Sequence, residues 1–341
     1  MSLSGDTILI WGWYCEASKP ESEAGIAMLQ TQNPGLPKAG KSSNTCLRIA
    51  VKEEGMDHRI LGKTGLTVSI LTFGGIVVGG MEAGEASEVV AEAVDSGVLY
   101  YDVAPSYGNA QYVLGPALEP HRSKVLLACK TEKRSAKGAR EELEESLRAL
   151  KTDHFDNYQM HALDDPDEIE QAFGPGGSME TFVWAKKQGY TRNIGFTCHR
   201  DESALKILSK SSEFDTMLFP VNFAYRLKKE GSVSAVAAAK ERGLGVVAIK
   251  ALARRHWLEG EEREYPKCWY RPIYDDDRLA RLALNFTLSQ DIDTAVPPGD
   301  KRMFRLALSI IQSQGGKAVP LSPEELEELK EAALGTKEVI F

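Results

Sequence analysis

From Met56 onward the chain alternates between two hydrophobic rhythms. Short runs rich in Val, Ile, Leu and Phe give way to longer stretches in which apolar residues recur every three or four positions. The first pattern suits a strand buried on both faces, the second a helix packed along one side. The strand candidates are SILTF (69–73), VLYYD (98–102), KVLLACK (124–130), FDNYQMH (155–161), RNIGFT (192–197), TMLFPVN (216–222), GVVAIK (245–250) and DTAVPP (293–298). Helical patterns such as EASEVVAEAVDSG, GAREELEESLRALK, METFVWAKKQG and DDRLARLALNFTLSQ lie between them, and several stop at glycine. A further helix, SPEELEELKEAAL, opens with Ser322 as N-cap, Pro323 at N1 and Glu325 at N3. Eight strand–helix units over about 250 residues predict a (β/α)₈ TIM barrel with a C-terminal extra helix. The alternative, a doubly wound sheet, often opens on a glycine-rich turn, and no GxGxxG is present.

Residues 1–55 break the rhythm. They hold one short apolar run, ILIWGWY, followed by Pro, Gly, Ser, Asn and Lys without periodicity, and they lack a signal peptide's charged start and long apolar core. The expectation is a disordered N-terminal extension before a barrel domain over 56–341. The net charge of −8, from 41 basic and 49 acidic residues, argues against nucleic acid or an anionic membrane as main partner. No apolar run approaches the ~20 residues of a membrane helix. The five cysteines are scattered, without CxxC or metal spacing, which favours a reduced, cytoplasmic setting and no metal site.

In such a barrel, chemistry sits at the C-terminal ends of the strands. Asp102 ends the second candidate strand, Lys130 the third and His161 the fourth, while Tyr107 lies in the loop after the second. The set suggests carbonyl reduction. Tyrosine is a weak acid with a pKa of ~10, and a lysine cation beside it lowers that value. An aspartate keeps the lysine charged and in place, and a histidine can donate a hydrogen bond to a substrate oxygen. Side chains supply the proton but no hydride, so a nicotinamide cofactor is implied.

The blocks HRILGKTGLTVSILTFGG, YYDVAPSYGNAQYVLG, VLLACK, NYQMHALD and RNIGFT resemble, in order and spacing, the signature blocks of the aldo-keto reductase superfamily, as a divergent branch. The resemblance covers roughly residues 56 to 300. It implies a (β/α)₈ barrel that binds NADP(H) across its mouth, with a catalytic tetrad on Asp102, Tyr107, Lys130 and His161. It puts Gly74 and Gly75 near the nicotinamide, Thr197 and Asn222 at the carboxamide, and Lys250 and Gly299 along the phosphates. Lys301 is the expected 2′-phosphate ligand, with Arg302 as runner-up.

There are departures. Cys198 replaces an expected amide, Asp300 is an unexpected neighbour for a phosphate, and the helix RLALSIIQ lacks the usual adenine pair. His199 is open between facing substrate and packing a helix N-terminus, and the register of Tyr225 is open. Trp257, Trp269, Tyr270 and Tyr274 either wall a substrate pocket or tie their long loop to the barrel. The expected activity is NADP(H)-dependent reduction of an aldehyde, ketone or sugar carbonyl, or the reverse. The alternative is an NADP(H)-binding redox-sensing subunit. The expected partner is a small carbonyl substrate, and self-association is compatible with this reading.

Overall fold

The computed structural model describes residues 55–341; residues 1–54, and with them nearly all of the predicted extension, lie outside the described residues. The described chain enters through an antiparallel hairpin, β1 (His58–Ile60) and β2 (Thr67–Ser69). Leu61 and Val68 of this hairpin pack with Tyr100, Ala128, Leu218 and Val247, so the hairpin closes the N-terminal end of the barrel with apolar side chains.

Seven barrel strands follow: β3 (Thr72–Gly74), β4 (Tyr100–Asp102), β5 (Leu126–Thr131), β6 (Phe155–Met160), β7 (Thr191–Thr197), β8 (Thr216–Pro220) and β9 (Gly245–Ile249). A two-stranded pair, β10 (Ala253–Arg255) and β11 (Arg271–Pro272), braces the long loop after β9, and β12 (Thr294–Val296) completes the barrel. The eight strands run parallel in chain order. Leu71 bridges Ala295, and the Thr72 and Thr294 hydroxyls lie 2.7 Å apart, which joins the last strand to the first. All eight predicted strands are present. The first differs in extent, because Ser69 ends the hairpin and the barrel strand begins only at Thr72.

Alternation along each strand separates two environments. Tyr101 faces outward and packs on Phe73 at 5.2 Å between centroids, within the core between sheet and helices. Tyr100 faces the barrel interior, where Asn157 donates to its hydroxyl at 3.0 Å and Thr216 donates to Asn157 at 3.1 Å. The interior therefore grades from apolar at the hairpin to polar at the opposite mouth.

The helices that shape this mouth are α1 (Ala83–Asp95), α2 (Ala110–Leu118), α3 (Ala136–Ala149), α4 (Pro166–Phe173), α5 (Ser178–Gln188), α6 (Asp201–Lys210), α7 (Phe223–Lys229), α8 (Val233–Glu241), α9 (Asp277–Leu288) and α10 (Lys301–Ser313). The extra helix α11 (Pro323–Gly335) carries the predicted capping box of Ser322 and Glu325. Helix α2 escapes the sequence pattern because its Gly115 serves packing: a Cβ there would meet the Ala149 carbonyl oxygen at 2.4 Å. Among the described residues no helix is long and apolar enough to cross a membrane.

Candidate active site

Strands β4, β5 and β6 present Asp102, Lys130 and Gln159 to the interior at the C-terminal mouth. The Lys130 ammonium lies 2.5 Å from Asp102 Oδ2, and Gln159 Nε2 donates to Asp102 Oδ1 at 2.9 Å. Lys130 is 1% exposed, so its charge is taken out of water and balanced by the carboxylate. Tyr107 arrives from a tight turn after β4, in which its N–H donates to Ala104 O and Gly108 takes a positive φ of 62°. The turn carries its hydroxyl to 3.3 Å from Lys130 Nζ. His161 directly follows β6; its N–H donates to Thr131 O at 2.8 Å. Its ring meets Tyr107 edge-on, with centroids 5.8 Å apart. The structure thus brings together all four residues expected for catalysis.

The electrostatics refine that expectation. Burial opposes the charge on Lys130, but Asp102, with Tyr107, more than reverses this and holds the ammonium well above the ordinary lysine range. For Tyr107 the expected lowering does not prevail. Burial of the phenol raises its pKa, and the opposing pull of Lys130 is too small to reverse it, so the hydroxyl stays protonated at neutral pH. His161 is shifted down, chiefly by burial, with Glu132 acting in the opposite direction. The Glu132 carboxyl is drawn down to about 2, mainly by its hydrogen bond to His161.

Glu132 Oε1 lies 3.0 Å from His161 Nδ1, and Ser106 Oγ lies 3.3 Å from the same nitrogen. A carboxylate there assigns the proton to Nδ1 and leaves Nε2 without one in the neutral ring. With that tautomer Nε2 accepts when the ring is neutral and donates only when the ring is protonated. The donor role expected from the sequence therefore requires the imidazolium.

The residues expected around a cofactor are scattered in role. A Cβ on Gly75 would meet Val103 Cβ at 2.8 Å and one on Gly299 would meet Ile76 Cγ2 at 2.5 Å, so packing alone requires glycine at both. Gly74 is tight against Val296, at 3.1 Å. Thr197 Oγ1 accepts the Ala162 N–H at 2.7 Å. Asn222 is fully buried as the N-cap of α7; its amide donates to Lys250 O and Ala253 O, and its oxygen accepts from Ala224 and Tyr225 N–H. Both side chains are thus engaged in holding loops. His199 Nδ1 lies 2.7 Å from Asp164, and its ring stacks on Phe341 with centroids 5.3 Å apart. Tyr225 donates to Asp201 at 3.3 Å.

Lys250 is different. It is 8% exposed, holds a positive φ of 74°, and has no hydrogen-bonding or ionic partner among the described residues. Its ammonium lies over the rings of Tyr270 at 4.2 Å and Trp269 at 5.5 Å. Burial lowers its pKa to about 7. Among the described residues its ammonium thus meets aromatic faces and no counter-ion. Lys301 instead pairs with Glu85, and Arg302 with Asp300 and Glu264.

The sequence profile of the Aldo/keto reductase family matches residues 71–332. The chain belongs to this family. Among its relatives, the uncharacterized oxidoreductase YqkF of Bacillus subtilis (strain 168) is 25% identical over 303 residues, covering 81% of this chain and 96% of that protein. L-galactose dehydrogenase of Arabidopsis thaliana is 31% identical over 159 residues, 42% of this chain and 48% of that protein. The holo form of aldo-keto reductase AKR11C1 from Bacillus halodurans superposes with a TM-score of 0.63 at 23% identity, covering 84% of this chain and 98% of that one, which shows the shared barrel. Membership makes the chain an oxidoreductase of small carbonyl compounds.

This aldo/keto reductase has supporting residues that sequence reasoning missed. Gln159 was visible as an inward position two residues before His161, but an amide suggests no chemistry until its partner Asp102 is seen. Arg134 donates to His161 O at 2.6 Å and to Glu168 at 2.9 Å, and so pins the turn that carries the histidine. Of the four loop aromatics, Trp269 lies 5.9 Å from the Tyr107 ring and is 58% exposed, which makes it a wall of the mouth. Tyr270 covers Lys250. Trp257 donates to Cys268 O at 2.8 Å and Tyr274 packs on Tyr265 at 4.7 Å, so these two tie the loop down.

Proposed function

We propose that this aldo/keto reductase interconverts an aldehyde, ketone or sugar carbonyl with its alcohol, using a nicotinamide dinucleotide and Tyr107 as the proton donor. The observation that carries the reading is the buried Lys130, shared between Asp102 and Tyr107. Asp102, steadied by Gln159, holds the ammonium. The ammonium faces the phenol oxygen and stabilises the tyrosinate left after the proton is given up. Burial keeps the phenol protonated until then. His161, fixed by Glu132 and Arg134, bounds the substrate oxygen's position, and Trp269 shields it from water.

The dinucleotide, when bound, supplies the hydride that no side chain can. Lys250 fits such a group, because a pyrophosphate would pair its otherwise unpartnered ammonium. The finer expectation from the sequence is NADP(H), with Lys301 and Arg302 on the 2′-phosphate; it requires both to leave their carboxylates. The buried free thiols of Cys129, Cys198 and Cys268 are compatible with a reducing, cytoplasmic setting.

The test follows reduced-nicotinamide absorbance with a panel of aldehydes, ketones and sugars. The reading predicts substrate-dependent oxidation of the dinucleotide. Tight binding without turnover on any carbonyl would instead favour a redox-sensing subunit.

A further inference from the structure

We propose that the ion pairs at the N-terminus of α10 make this chain bind NAD(H) at least as tightly as NADP(H). The inference rests on the reading that a nicotinamide dinucleotide lies across the mouth. The end of the barrel after its last strand, at a helix N-terminus, is the place this fold offers to a phosphate. In this chain that place is already filled from within. Asp300 caps α10, its carboxylate accepting the Arg302 N–H at 2.9 Å, so an acidic side chain occupies the anion seat of the helix. The same carboxylate takes the Arg302 guanidinium, with Nε to Oδ1 at 3.1 Å and Nη2 to Oδ2 at 3.3 Å. Glu264 adds its side chain at 3.2 Å and its carbonyl at 3.0 Å, and Tyr265 stacks on the guanidinium at 4.0 Å. Lys301 reaches back to Glu85 in α1. Of the other cations here, Lys267 is spent on Val77 O at 2.6 Å and Gly79 O at 3.2 Å, and Arg305 of α10 pairs with Glu92 at 2.7 Å.

Three carboxylates therefore stand among the cations that a 2′-phosphate needs. A phosphate monoester brings roughly −1.5 to −2 charges at neutral pH. To bind, it must displace Glu85, Glu264 and Asp300 or remain beside them, and Asp300 cannot leave without uncapping the helix. A ribose 2′-hydroxyl meets no such conflict, because it can donate to a carboxylate and accept from the arginine. Glu85 and Glu264 thus act as specificity residues against the phosphate.

The experiment titrates the full chain and its Glu85→Gln/Glu264→Gln double variant with NADH and with NADPH, following nicotinamide fluorescence. Both positions are partly exposed, and circular dichroism checks that the variant stays folded. The wild type is expected to bind NADH as tightly as NADPH or more tightly. Removing the two glutamate charges should strengthen NADPH binding by roughly twofold to thirtyfold, the worth of two exposed ion pairs, without strengthening NADH binding. NADPH binding measurably tighter than NADH in the wild type, or equal responses of both dinucleotides in the variant, would overturn the inference. Binding of neither dinucleotide would overturn the proposed function itself, and the inference with it.

Discussion

On the side of the mouth built by β4, β5 and β6, Lys130 is sealed from water and its ammonium is divided between Asp102 and Tyr107. On the side built by β9, β12 and α10, Lys301 and Arg302 are partly exposed and meet carboxylates from distant segments. The first arrangement is rigid, because Asp102 and Lys130 stand on strands and desolvation makes every partner obligatory. The second is adjustable, because exposed pairs between long side chains contribute little and can be exchanged. On the proposed reading, the chemistry sits where charge cannot rearrange, and selection between dinucleotides sits where it can.

The contrast can be broken by mutation, and the largest effect belongs to the rigid side. Tyr107→Phe removes the acid and keeps the ring, so carbonyl reduction should fall by ~10²–10⁴-fold with dinucleotide affinity nearly unchanged. In the wild type, burial holds the phenol protonated, so the reduction rate should stay level through neutral pH. At saturating dinucleotide it should decline only as the pH climbs past the ordinary tyrosine value of ~10, and a decline below pH 8 under that condition would show that another group is the acid.

Next comes Asp102→Ala, which strands a buried ammonium. Urea unfolding should register a loss of ~3–5 kcal/mol, and a loss under ~1 kcal/mol would mean that Lys130 is not held as described. Lys250 occupies the boundary between the two regimes, buried but unpaired. Lys250→Ala should weaken both dinucleotides about tenfold or more, the worth of a charged hydrogen bond, read by calorimetric titration. Unchanged affinity would remove Lys250 from the phosphate path. The smallest effect is expected at Lys301→Ala. Its cation already answers to Glu85, so the ratio of NADPH to NADH affinity should move by less than about fivefold.

The same contrast explains what the sequence made legible. Asp102, Lys130 and His161 stand at or just beyond strand ends, where period-two alternation and fold class fix direction and depth together. The barrel was readable for the same reason, apart from the first strand, where Ile70 and Leu71 extend an apolar run across the junction of hairpin and barrel. The sign of the Tyr107 shift was not readable, since a neighbouring lysine is visible in sequence and the amount of burial is not. Asn222 and Thr197 carried the right chemistry for a carboxamide, but they spend their polar atoms on Lys250 O, Ala253 O and Ala162 N–H, partners that only the folded loops bring near. Lys301 and Glu85 are 216 positions apart, and no local pattern announces such a pair.

The most direct measurement follows the transferred hydrogen. Dinucleotide reduced with deuterium at nicotinamide C4 is incubated with the protein and each carbonyl of the panel, and the alcohol is analysed by mass spectrometry. The account predicts an alcohol carrying one deuterium on the former carbonyl carbon, formed by the wild type and nearly absent with Tyr107→Phe. An alcohol without the label from both transferable positions, or equal yield from the variant, would contradict it.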